Sequence, residues 1–128
     1  MTESIAWTEH TGFAEARRRI KVCGETHSDT LDLGGLRLTR LPEELRELTW
    51  LRVLYLGGDA EVRAEPHLGY RGRQSNALRA LPDALLPALV RLEVLDLAHN
   101  RLTVLPADIA GLTAITSLDL TRNEIGAA

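Results

Sequence analysis

A histidine among carboxylates is the strongest chemical signal in this 128-residue chain. His99 stands near Asp96 and Asp119 in sequence motifs of the same type, so an imidazole and a carboxylate could be paired for proton transfer. Acyl transfer also needs a nucleophile, and a triad is recognised by geometry and roles. Ser117 is out of step with His99 in the repeating pattern described next, and Cys23 sits in a separate N-terminal stretch. The third role is unfilled, and we expect no catalytic residues, no bound metal and no cofactor. The residues suit recognition better. Tyr55, His99, Arg101 and Arg122 accompany Asp32, Asp96 and Asp119, and His67, Tyr70, Arg71 and Arg73 cluster around the glycines of LGYRGR. Tyrosine and arginine are favoured at the centres of protein interfaces.

These residues are carried by a leucine spacing. It reads Leu92-x-x-Leu95-x-Leu97-x-x-Asn100-x-Leu102, followed by Leu105-Pro106 and Ile109. Moving on 23 residues gives Ile115-x-x-Leu118-x-Leu120-x-x-Asn123-x-Ile125. Earlier copies start at Leu51-x-x-Leu54-x-Leu56 and at Leu31-x-Leu33-x-x-Leu36-x-Leu38-x-x-Leu41-Pro42. Alternation within a strand sends the leucines inward and the residues between them to the opposite face. Stacked copies then form columns: Thr30, Val53, Val94 and Ser117; Asp32, Tyr55, Asp96 and Asp119; Gly34, Gly57, Ala98 and Thr121; Gly35, Gly58, His99 and Arg122. With strands about 4.8 Å apart, Tyr55 falls among acids and His99 beside Arg122. Gly57-Gly58 should leave a shallow depression beside the tyrosine ring. The aspartates either keep this face soluble or contact a partner.

The chain divides into an N-terminal segment, 1–27, and repeats over 28–128. In the first part Phe13, Ala16, Ile20 and Cys23 share a helical face, with Thr11 as N-cap and Gly24 as the stop. A helix over about 11–23 would cover the open end of the first repeat, with Cys23 as a small core residue and Arg17-Arg18-Arg19 as a solvated face. The repeats run 28–50, 51–91, 92–114 and 115–128. Repeat 1 has Leu36 where asparagine is expected, and the second is interrupted by DAEVRAEPHLGYRGRQS, residues 59–75, before Asn76 resumes the pattern. Such a long loop is usually functional or disordered. Repeat 4 stops after its turn without a return segment, so its apolar end is expected to be covered by more polypeptide, by self-association or by domain packing, or else its last strand to be frayed and the most mobile of the four. Full burial is expected for Leu54, Leu95, Leu97, Leu118, Leu81 and Leu105.

Composition narrows the partners. Charged residues make up 26% at a net charge of −3, and no face is dominated by arginine without interleaved acids. Nucleic acid is therefore not an expected partner. No apolar run is long enough to span a bilayer, and residues 1–30 lack the pattern of a signal peptide. A cytoplasmic location is expected, and the single cysteine allows no intrachain disulfide.

The repeats resemble the 23-residue leucine-rich repeats with an LPxxI/L return, a subclass found in Ras-group proteins and in bacterial Roco-type signalling NTPases. The likeness rests on Leu31-Asp32-Leu33, Leu41-Pro42, Leu81-Pro82, Leu95-Asp96-Leu97, Asn100, Leu105-Pro106-Ala107-Asp108-Ile109, Leu118-Asp119-Leu120 and Asn123. The resemblance implies an α/β fold: a short solenoid with a parallel concave sheet of about four strands and an N-terminal capping helix. It also implies a non-catalytic scaffold that binds a protein of unidentified kind on its concave face, the inserted loop, or both. The alternative is an architectural N-terminal segment of a larger signalling NTPase, packed on its own effector domain. Asp32, Val53, Tyr55, Val94, Asp96, His99, Arg101, Asp119 and Arg122 are the concave candidates, and His67, Tyr70, Arg71 and Arg73 those of the loop.

Overall fold

Leucines at fixed spacing are buried most economically when identical turns of chain stack, and the chain does this. The computed structural model describes residues 8–58 and 75–125. The 18-residue helix α1 (Glu9–Thr26) is followed by strands β1 (Thr30–Asp32), β2 (Val53–Tyr55), β3 (Val94–Asp96) and β4 (Ser117–Asp119). They form one parallel sheet in the order β1-β2-β3-β4. This is the expected α/β architecture, a short solenoid with a parallel four-stranded sheet and an N-terminal capping helix.

Leu31, Leu54, Leu95 and Leu118 stand in register across the sheet. The steps from β1 to β2 and from β3 to β4 are 23 residues, but that from β2 to β3 is 41, an excess of 18. Seventeen of these are residues 59–75, whose neck is closed by an antiparallel bridge between Gly58 and Ser75. The remaining one lies in the return segment. Repeats 1 and 3 return through 3₁₀ turns, Glu43–Glu47 and Ala107–Gly111, whereas repeat 2 returns through a short α-helix, α2 (Leu85–Ala88). One more residue between the same two leucines is accommodated by the wider turn.

Asparagine side chains tie each repeat to the one before it. Asn76 is 2% exposed. Its Oδ1 accepts from the amides of Leu36 (3.2 Å) and Leu38 (2.9 Å), and its Nδ2 donates to the carbonyls of Leu33 and Leu56, both at 2.8 Å. Asn100 accepts from Leu78 N–H at 2.9 Å and donates to Leu56 and Leu97. Asn123 accepts from Leu102 N–H at 3.0 Å and donates to Leu97 and Leu120. The ladder explains Leu36. An asparagine there would have no preceding turn to serve; instead α1 packs on this turn so closely that a Cβ on Gly12 would lie 1.8 Å from the Leu36 carbonyl oxygen.

The capping helix is longer than its apolar spacing suggests. Its N-cap is Thr8, and Thr11 is the N3 residue whose side chain completes a capping box. Thr8 Oγ1 accepts from Thr11 N–H at 3.1 Å, and Thr8 N–H donates to Thr11 Oγ1 at 2.9 Å. Gly24 is inside the helix, which ends at His27 in the left-handed region (φ 53°). Gly12, Ala16, Ile20 and Cys23 make the buried face, while Phe13 is half-buried under the Arg40 guanidinium, 4.0 Å from the ring centroid. Burial pushes the Cys23 thiol pKa up, in keeping with a core role. The arginine run is not merely solvated. Arg17 pairs with Glu44, Arg18 and Arg19 pair with Glu15, and half-buried Arg19 also donates to the Asp32 carbonyl on β1, at 2.9 Å. The β1 edge is thereby covered, as exposed edges require.

Burial fades toward the other end. Leu54, Leu95 and Leu97 are fully buried, as expected, but Leu81 and Leu118 are half-buried and Leu105 is 45% exposed. A repeat's leucines are sealed by the next repeat, and among the described residues nothing stacks on the last one. Val104 (73%) and Ile125 (37%) are exposed with them.

Candidate protein-binding surface

The column order of the concave face follows directly from the strand register. Thr30, Val53, Val94 and Ser117 align, as do Asp32, Tyr55, Asp96 and Asp119. Each aspartate also has a local task. The Oδ1 atoms of Asp32, Asp96 and Asp119 accept from the amides of Gly34, Ala98 and Thr121, at 2.9, 2.9 and 3.0 Å. These two-residue side-chain turns bend the chain out of each strand. Asp32 is half-buried, Asp96 only 7% exposed, and Asp119 exposed. Of the three, Asp119 has the carboxylate most available to a partner.

Past the strands three members of the fourth column adopt left-handed backbone: Gly35 (φ 73°), His99 (φ 61°) and Arg122 (φ 55°). His99 is 9% exposed. Its pKa is pushed down to about 4, first by burial and then by the Arg122 charge, with Asp119 opposing. It is therefore neutral near pH 7. Asp119 Oδ1 also accepts from Thr121 Oγ1 at 2.8 Å, which holds that oxygen in the turn.

A depression of about 210 Å³ lies across β3. Of the expected residues it gathers Tyr55, Val94, Asp96, His99 and Asp119, and it adds Gly58, Leu95, Ala98, Ser117 and Thr121. All of these but the inward-facing Leu95 belong to the same columns, so register alone could have identified them. Asp32, Val53, Arg101 and Arg122 do not line it; exposed Arg101 instead lies 3.9 Å from Glu124. Of the glycine pair only Gly58 borders a depression beside Tyr55 as expected. A Cβ on Gly57 would lie 2.3 Å from the Ala98 carbonyl oxygen, so that glycine admits the neighbouring turn rather than a partner. The hollow is displaced toward β4, with Gly58 on its rim. His67, Tyr70, Arg71 and Arg73 lie outside the described residues.

Tyr55 and Val94, both half-buried, give this hollow an apolar side, and Asp119 gives it a charged rim. An aromatic beside a carboxylate on a rigid sheet can seat one projecting side chain of another protein.

The repeats are similar in sequence to those of known proteins. A family model described as leucine rich repeat matches residues 74–125. Podocan-like protein 1 of Mus musculus is 39% identical over 99 residues, covering 75% of this chain and 14% of that protein. The crystal structure of an internalin from Listeria monocytogenes aligns with a TM-score of 0.48 at 28% identity, over 83% of this chain and 32% of that one. The chain thus spans a minor part of each relative's length.

Proposed function

We propose that these leucine-rich repeats form a non-catalytic module that binds a protein partner on the concave face, centred on the hollow beside Tyr55. The observation that carries this reading is the 210 Å³ depression, which draws residues from three adjacent strands. The leucine-rich-repeat match over residues 74–125 and the mouse relative support it at the level of repeat architecture. The 23-residue step and the Leu-Pro return support placing the repeats in the LPxxI/L subclass and, with it, in the cytoplasm. The loop 59–75 leaves and re-enters at Gly58 and Ser75, beside this hollow, so it can add to the same contact.

The test is affinity capture from the native cell with wild type, Tyr55→Ala and Asp119→Arg, each first shown to melt within a few degrees of wild type. Both variants should lose the same partner. Equal recovery by all three would remove the concave face as the site and direct attention to the apolar end around Leu105 and Ile125.

A further inference from the structure

A larger groove, about 710 Å³, runs between α1 and the first return turn and shares no residue with the concave hollow. Its apolar surface comes from exposed Ala14 and half-buried Trp50, over a floor where Ile20 and Leu48 are only 4% and 3% exposed. Trp50 is held in place: its Nε1 donates to the Ser28 carbonyl at 3.0 Å, and its ring meets the His27 ring edge-on with centroids 4.0 Å apart. The two walls carry opposite charge. Arg17, Arg18 and Lys21 line the α1 side, and Glu44 and Glu47 line the return-turn side. At one place the walls are joined, Arg17 Nε to Glu44 Oε2 at 2.7 Å. Among the described residues, Lys21 and Glu47 make no ion pair.

Gly24, also on the groove, adds an independent point. A glycine inside a helix costs about 1 kcal/mol relative to alanine, and packing does not demand it here. A Cβ at this position would make only an ordinary contact, 3.8 Å from Leu48 Cδ2.

We propose that the groove seats an amphipathic helix of a partner protein, its apolar stripe on Ala14 and Trp50 above the Ile20 and Leu48 floor, its acidic edge toward Lys21 and its basic edge toward Glu47. The charges select this occupant. A uniformly anionic surface, whether membrane or nucleic acid, gains on one wall and is repelled by the other. A helix with unlike edges satisfies both walls at once, and in one orientation only.

The probe is a fluorescent helical peptide of about 15 residues, with a leucine stripe flanked by glutamates on one edge and lysines on the other. A second peptide has the two edges exchanged. Anisotropy titration of the full chain should give saturable binding of the first and at least about tenfold weaker binding of the second. The charge-swapped double variant Lys21→Glu, Glu47→Lys should reverse that preference. Gly24→Leu, which fills the groove while favouring the helix, should abolish binding of both without lowering the melting temperature. Equal affinity for the two peptides, absence of saturable binding, or an unchanged preference in the swapped variant overturns the proposal.

Discussion

Asn76→Ala tests the point at which the inserted loop returns to the repeat pattern. The substitution deletes four hydrogen bonds from a side chain that is 2% exposed. The amides of Leu36 and Leu38 would be left buried without an acceptor, and each such group costs about 1–3 kcal/mol. The carbonyls lose less, because Leu56 O also accepts from Asn100. The expected total is about 3–5 kcal/mol, a large share of a small domain's stability. Urea unfolding followed by circular dichroism gives this loss directly. Asn123→Ala is the internal control: it occupies the same position in the last turn, is half-buried, and supports Leu102 alone through its Oδ1. It should cost about 1–2 kcal/mol. A loss below about 1 kcal/mol for Asn76→Ala, or equal losses for the two, would refute the ladder.

Other expectations concern the core and the turns. Leu95→Ala should cost about 2–5 kcal/mol, read as a shift in the urea midpoint. Gly57→Ala should destabilise through backbone displacement, since its Cβ cannot lie 2.3 Å from a carbonyl oxygen, and the melting temperature should fall clearly. The depressed His99 pKa gives a pH slope: the unfolded chain takes up the proton first, so stability falls as pH drops from about 6.5 toward 4, by roughly 1–3 kcal/mol. His99→Asn, which also suits φ 61°, should flatten that slope. A second loss should appear only at lower pH, as Glu15, held at about 2 chiefly by its Arg18 hydrogen bond and also by Arg19, becomes protonated.

Much of this architecture is written in the leucines, because spacing fixes register: Leu31, Leu54, Leu95 and Leu118 align as their positions demand, and Asn76 could be located past the inserted loop. Most of the misreadings share one physical cause. Burial at Leu105 and Leu118 depends on a neighbouring repeat, which the internal pattern of one repeat does not describe. The start of α1 was obscured because Thr11 is a partner in the capping box rather than the cap itself. Gly57 resembles open space in sequence, yet its missing side chain makes room for the turn of the next repeat. Asp96 and His99 share columns with exposed residues but sink as the chain turns over them. The groove beside α1 is not legible in the sequence because residues separated by about one repeat meet only after the helix has docked.

Photo-crosslinking tests the binding claim most directly. A photoreactive side chain is placed at exposed Ser117, inside the hollow, or at Val104, 73% exposed and outside it. The captured partner should crosslink from position 117, and the further substitution Tyr55→Ala should abolish that adduct while position 104 gives none. A crosslink from position 104 alone would contradict concave binding and place the partner on the apolar end of the solenoid.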